Sequence, residues 1–152
     1  MAVKDRANHI EPANYDQHLD ELKECDLVIE AIAERMDWKL DLYRRIAPHV
    51  APNAVVATNT SGLSIEAMAE ALPQAMRSRF CGIHFFNPPR YIQLLELIPL
   101  KGTQYATGEG HALLGDTVSN LAGRKLNRGR FAAPAVLGCA DRWRWQCVAV
   151  VI

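Results

Sequence analysis

The 152-residue chain has only four cysteines, Cys25, Cys81, Cys139 and Cys147, and no two form a C-x-x-C pair. No His/Cys spacing resembles a zinc site, so a metal-dependent chemistry is not expected. Cys25 and Cys81 lie beside or inside apolar runs, where a reduced, buried thiol is the expected state. No apolar stretch approaches the roughly 20 residues a membrane helix requires. The opening Met1-Ala2-Val3-Lys4-Asp5-Arg6 has no apolar h-region, so a secretory signal is not expected and a soluble, cytoplasmic protein is. Formal net charge is zero, which gives no general attraction for a polyanion. That zero hides an asymmetry: residues 1–100 hold 10 Lys/Arg against 14 Asp/Glu, and residues 101–152 hold 7 against 3.

What is present is an ordinary globular composition, 49% hydrophobic and 22% charged, enough for a single domain with a core. Asn14, followed three residues on by Gln17, reads as a capping box opening a short helix to about Glu24. Asp26–Ile32 is almost continuously apolar, as strands covered on both faces are. Met36, Leu40, Tyr43, Ala47 and Val50 fall on one helical stripe that Pro48 cuts short. A strand is expected over Ala54–Thr58 and a helix capped by Ser64 after it. Further strands are expected over Arg79–Phe86 and Gln93–Pro99, on either side of a reversal near Arg90. Strands alternating with helices imply right-handed crossovers and a parallel sheet, here with a last antiparallel strand.

Ligands of open α/β sheets bind beyond the carboxyl ends of the strands. The segments just past the first three strands are Ala33-Glu34-Arg35, Asn59-Thr60-Ser61-Gly62 and His84-Phe85-Phe86-Asn87. All three are expected on one edge. If the chain reverses about Arg90, His84 falls opposite Glu96, and directly opposed residues have Cβ atoms about 5 Å apart. A carboxylate there holds one ring nitrogen as N–H, frees the other as a base and favours the imidazolium that forms. That is half of a proton-abstraction site. The Ser61 hydroxyl can hold a substrate oxygen, the Asn87 amide can fix the strand end or polarise a carbonyl, and Gly62 allows close backbone approach. Taken singly, each residue has a structural explanation: a satisfied core histidine, an Asn-Thr-Ser turn, an Asn-Pro break, an edge glutamate. Together they define a candidate site. Glu30, inside its strand, is assigned no chemical task.

In order and spacing, four motifs resemble the NAD-binding domain of L-3-hydroxyacyl-CoA dehydrogenases. They are Asp26-Leu27-Val28-Ile29-Glu30-Ala31-Ile32-Ala33-Glu34, Ala57-Thr58-Asn59-Thr60-Ser61, His84-Phe85-Phe86-Asn87-Pro88 and Leu94-Leu95-Glu96-Leu97-Ile98. The resemblance implies a partial Rossmann-like α/β domain over residues 1–100, its second half, with NAD as cofactor and a 3-hydroxyacyl-CoA of fatty-acid β-oxidation as substrate. It implies that His84 is the base, Glu96 its orienting carboxylate and Ser61 the hydroxyl on the substrate oxygen. It also implies that Glu34 and Asn59 lie on the coenzyme side, and that Asn87 supports the nicotinamide or the substrate carbonyl.

Two departures qualify these expectations. No G-x-G-x-x-G run precedes Asp26, and Gly108-Glu109-Gly110 with Gly115 has the wrong spacing and reads as a loop. Past Leu100, where the family continues into a helical domain that completes the substrate site and the usual homodimer, the chain is Arg-, Gly- and Ala-rich and carries Trp143-Arg144-Trp145. Residues 101–152 are therefore left unassigned, as a tail joined from elsewhere or read out of frame. The terminal Val148-Ala149-Val150-Val151-Ile152 run is uncharged and β-prone. The chain alone is expected to be inactive. A non-catalytic remnant and a related NAD-dependent hydroxy-acid dehydrogenase are the competing readings, and neither a nucleic-acid nor a membrane partner is expected.

Overall fold

Apolar runs punctuated by turn residues become a layered α/β fold in the computed structural model, which describes residues 11–87, 95–103 and 148–151. Strand β1 is Leu27–Glu30, helix α1 Met36–Ile46, strand β2 Val55–Thr58, helix α2 Ile65–Ala71, the short helix α3 Gln74–Arg77, strand β3 Phe80–Phe85, strand β4 Leu95–Pro99 and strand β5 Val148–Val151. They form one five-stranded sheet in the order β4-β3-β2-β1-β5. β1, β2 and β3 run parallel, β4 is antiparallel to β3, and β5 adds in parallel to the other side of β1. The α/β class, the parallel strands β1–β3 and the antiparallel β3–β4 pair are as expected from the sequence; the parallel addition of β5, from the segment left unassigned, is not. The glycine cluster at 108–115, the Trp143-Arg144-Trp145 segment and the reversal at Arg90 lie outside the described residues.

The strands alternate their side chains between two faces. Val28, Val56 and Phe80 pack under α1 and α2, together with Leu42, Tyr43, Ile46, Met68 and Leu72. Leu27, Ile29, Val55, Ala57, Cys81, Ile83 and Leu97 form a second buried cluster. Burial on both faces is the reason the strands read as unbroken apolar runs. Each fully buried aliphatic or aromatic side chain contributes roughly 1.5–3 kcal/mol. Tyr43 and Phe80 meet edge to face, with ring centroids 5.4 Å apart.

Three local features depart from expectation. Asn14 does cap, its Oδ1 accepting the N–H groups of Asp16 and Gln17 at 3.0 and 2.9 Å, but it closes a turn. The helix that follows is one of 3₁₀ type over Leu19–Glu24; a side chain that satisfies turn amides locally competes with α-helix. Helix α1 is rotated from the expected stripe. It buries Lys39, Leu42, Tyr43 and Ile46, leaving Met36, Leu40 and Ala47 partly buried at the margin. Helix α3, following Pro73, has no counterpart in the sequence reading. The Ser64 cap forms as expected, its Oγ accepting the Ala67 N–H at 3.2 Å.

Close packing of helix on sheet turns on Gly82. A Cβ built there stands 2.5 Å from Ile65 Cδ1 and 3.0 Å from Ile98 Cβ, so the first residue of α2 rests on β3 only because position 82 has no side chain. This contact seats the start of α2, and so the turn before it, against the sheet.

Candidate active site

Strands β3 and β4 pair in the register Cys81↔Pro99, Gly82↔Ile98, Ile83↔Leu97, His84↔Glu96 and Phe85↔Leu95. His84 and Glu96 are therefore direct cross-strand neighbours. His84 Nδ1 lies 3.0 Å from Glu96 Oε2, and the two side chains are 17% and 19% exposed. An ionised carboxylate only accepts, so in the neutral ring this contact is made by Nδ1–H and leaves the lone pair on Nε2. The imidazole also leans on Phe86, with ring centroids 4.5 Å apart and planes tilted by 52°.

Asn59 ties the ends of three strands together. Its N–H donates to the Glu30 carbonyl of β1 at 2.7 Å, and its Oδ1 accepts the Phe85 N–H of β3 at 2.9 Å. The turn carrying Ser61 is thereby tied to the residue beside His84. An amide does this well, because its carbonyl oxygen accepts a β3 N–H beyond the last β2–β3 pair, Thr58↔Gly82.

Glu34, at the end of the loop after β1, faces the same turn. Its Oε1 accepts the Thr60 hydroxyl at 2.5 Å and the N–H groups of Ser61 and Gly62, each at 2.9 Å. Burial works to raise its pKa, but these donors and the nearby Lys39 ammonium outweigh it and hold the carboxyl below its ordinary value. The Ser61 and Asn87 residues are exposed at this rim. Gly62 has a negative φ, and a Cβ placed there would meet nothing within 4 Å, so the space above it is open.

The sequence reading missed the most polar cluster in the core. Glu30 is fully buried, yet its carboxylate accepts from Lys39 Nζ at 2.6 Å, the Ile32 N–H at 2.7 Å, the Tyr43 hydroxyl at 2.9 Å and the Thr58 hydroxyl at 2.7 Å. Lys39, also fully buried, reaches the Ile32 carbonyl at 3.3 Å and Glu34 Oε2 at 3.9 Å. Burial, then the Glu30 charge, holds the Tyr43 phenol well above its usual range. The signal was a lone carboxylate in an apolar strand with a lysine nine positions on, at the start of the helix that returns over it. Among the described residues, no group of three or more His, Cys, Asp or Glu could hold a metal ion, and no helix is long and apolar enough to cross a membrane.

Parallel strands with return helices, and a polar rim at their carboxyl ends, define a Rossmann-type nucleotide-binding α/β domain. The sequence model of the 3-hydroxyacyl-CoA dehydrogenase NAD binding domain matches residues 1–118, and the chain belongs to this family, whose cofactor is NAD. It is 40% identical over 93 residues to a 3-hydroxybutyryl-CoA dehydrogenase of Bradyrhizobium diazoefficiens, covering 61% of this chain and 31% of that protein. It is 38% identical over 84 residues to the mitochondrial hydroxyacyl-coenzyme A dehydrogenase of Sus scrofa, covering 55% and 26%. The crystal structure of (S)-3-hydroxybutyryl-CoA dehydrogenase from Ralstonia eutropha superposes with a TM-score of 0.60 at 36% identity, over 71% of this chain and 36% of that one. The chain thus spans about a third or less of the length of these relatives. The open space over Gly62 and the exposed Ser61 and Asn87 fit a cofactor lying along this rim. No G-x-G-x-x-G run occurs in the 152 residues, so a backbone cradle of that kind for the pyrophosphate is not among the groups present.

Proposed function

We propose that this chain carries the proton-handling half of an NAD-dependent oxidation of an L-3-hydroxyacyl-CoA to the 3-oxoacyl-CoA, a step of fatty-acid β-oxidation. The single supporting observation is the 3.0 Å contact between His84 Nδ1 and Glu96 Oε2 at the carboxyl end of β3. His84 is the base: as the 3-hydroxyl O–H bond breaks, its proton passes to Nε2. Glu96 keeps the ring in the tautomer that can accept it and stabilises the imidazolium afterwards. Ser61 holds the substrate oxygen by its hydroxyl. Glu34 and Asn59 would lie on the coenzyme side and Asn87 would support the nicotinamide or the substrate carbonyl; NAD, when bound, supplies the acceptor for the hydride leaving C3. Lacking a glycine-rich phosphate loop, the chain alone turns over far below the rates of complete enzymes of the family. That lack is also what favours the second reading, a non-catalytic remnant of such an enzyme.

The test is an NMR titration of the isotope-labelled chain with NAD and then with acetoacetyl-CoA, a 3-oxoacyl product. Shifts concentrated at Glu34, Asn59, Ser61, Gly62, His84 and Asn87 at roughly millimolar ligand are expected. A spectrum unchanged by both ligands would overturn the dehydrogenase reading in favour of the remnant.

A further inference from the structure

Glu34 Oε1 is occupied by the chain itself. It takes three donors from one turn, the Thr60 hydroxyl and the Ser61 and Gly62 N–H groups. The Thr60 hydroxyl in turn accepts the Leu63 N–H at 3.2 Å, which carries the connection to the far end of the turn. Thr60 is buried at the base of the turn and Asn59 is tied to β1 and β3, but Ser61 and Gly62 are exposed and the space beside Gly62 Cα is empty. Hydrogen bonds to an ionised acceptor are about twice as strong as neutral ones, so this carboxylate is a strong polar tether on the exposed Ser61 and Gly62 amides.

The clamp is anchored at its other end. Glu34 Oε2 lies 3.9 Å from the Lys39 ammonium. That ammonium cannot swing away, because Glu30 Oε1 at 2.6 Å and the Ile32 carbonyl at 3.3 Å hold it inside the core. The exposed turn is thus referenced, through two carboxylates and one lysine, to the rigid β1–α1 unit.

We propose that Glu34 is a positioning residue, fixing the Thr60–Gly62 turn and thereby the direction in which Ser61 presents its hydroxyl at the rim. The functional consequence rests on the reading of Ser61 as the substrate-oxygen ligand; the clamp itself does not.

Amide hydrogen exchange and amide proton shifts of the full labelled chain test it. In Glu34→Gln, a near-isosteric change that removes the charge, exchange at Ser61 and Gly62 rises about tenfold and their amide protons move upfield. The amides of Val28 and Val56 in the sheet keep their protection. Unchanged exchange and shifts at Ser61 and Gly62 overturn the proposal, and so does a uniform acceleration that includes Val28 and Val56, which marks a general loss of stability. Thr60→Val serves as the second variant. It removes the hydroxyl bridge alone, and the expected result is faster exchange at Leu63 with the sheet unaffected; an unaltered Leu63 counts against the clamp. Ser61→Ala separates the two claims: it leaves the exchange pattern intact while removing the ligand-induced shifts if Ser61 binds substrate.

Discussion

Lys39 Nζ lies 2.6 Å from Glu30 Oε1, and neither side chain is exposed to solvent beyond 1%. A buried pair of this kind is costly to break from one side, because the partner is left charged in a medium that solvates it poorly. Lys39→Met is therefore expected to destabilise the fold by about 3–5 kcal/mol. Glu30→Gln/Lys39→Met, which removes both charges and keeps an acceptor for the Tyr43 and Thr58 hydroxyls, recovers most of that. Urea denaturation of the two variants measures the difference, and equal destabilisation would show that the charges are not coupled.

Packing at Gly82 makes a second, independent prediction. Gly82→Ala forces a methyl group against Ile65 and Ile98, at contacts of 2.5 and 3.0 Å before relaxation. The expected cost is about 1–3 kcal/mol, read as a fall in the denaturation midpoint. Ile65→Val in the same background, by removing the clashing δ-methyl, restores part of it.

Glu34 has a folded-state pKa below its ordinary value. Its contribution to stability is complete above the ordinary carboxylate range and is lost as pH falls through the depressed folded value. Between about pH 5 and the acid limit of folding, the wild-type midpoint in urea is therefore expected to fall more steeply than that of Glu34→Gln. Parallel curves for the two proteins would show that the carboxylate contributes nothing to the fold.

Burial pushes the Cys81 thiol up to about 12, so almost no thiolate exists in the folded chain near neutral pH. Iodoacetamide at mildly alkaline pH is expected to leave Cys81 unmodified in the native protein and to label it in urea. Mass spectrometry of the peptide containing residue 81 reads the result, and rapid native labelling would contradict its place in the sheet.

Much of this arrangement is legible in the residues. The apolar runs around Val28, Val56 and Ile83 mark the strands because both faces of the sheet are buried. The pairing of His84 with Glu96 follows from a reversal about position 90, since an antiparallel register is fixed by its centre. Lys39 was not legible. A lysine at the start of an amphipathic helix reads as a solvated charge until the strand carboxylate beneath it is located, and that requires the tertiary fold. The rotation of α1 has the same cause, because the buried stripe is drawn toward Glu30. The parallel addition of Val148–Val151 to β1 joins residues more than a hundred positions apart, and no local pattern encodes that partner. For Ser61, the sequence marks only a hydroxyl in the turn past β2, whereas the carboxylate that grips its turn emerges only when the loops after β1 and β2 meet.

On the proposed function, Glu96 holds His84 with its Nδ1 protonated and its Nε2 free to accept a proton. Long-range ¹H–¹⁵N correlation of the imidazole in the ¹⁵N-labelled chain, above the pH at which the ring is charged, measures this directly. A ring nitrogen pattern of protonated Nδ1 and bare Nε2, lost or mixed in Glu96→Ala, is the predicted result. A wild-type His84 in the Nε2–H form, or one indifferent to the loss of Glu96, would contradict it.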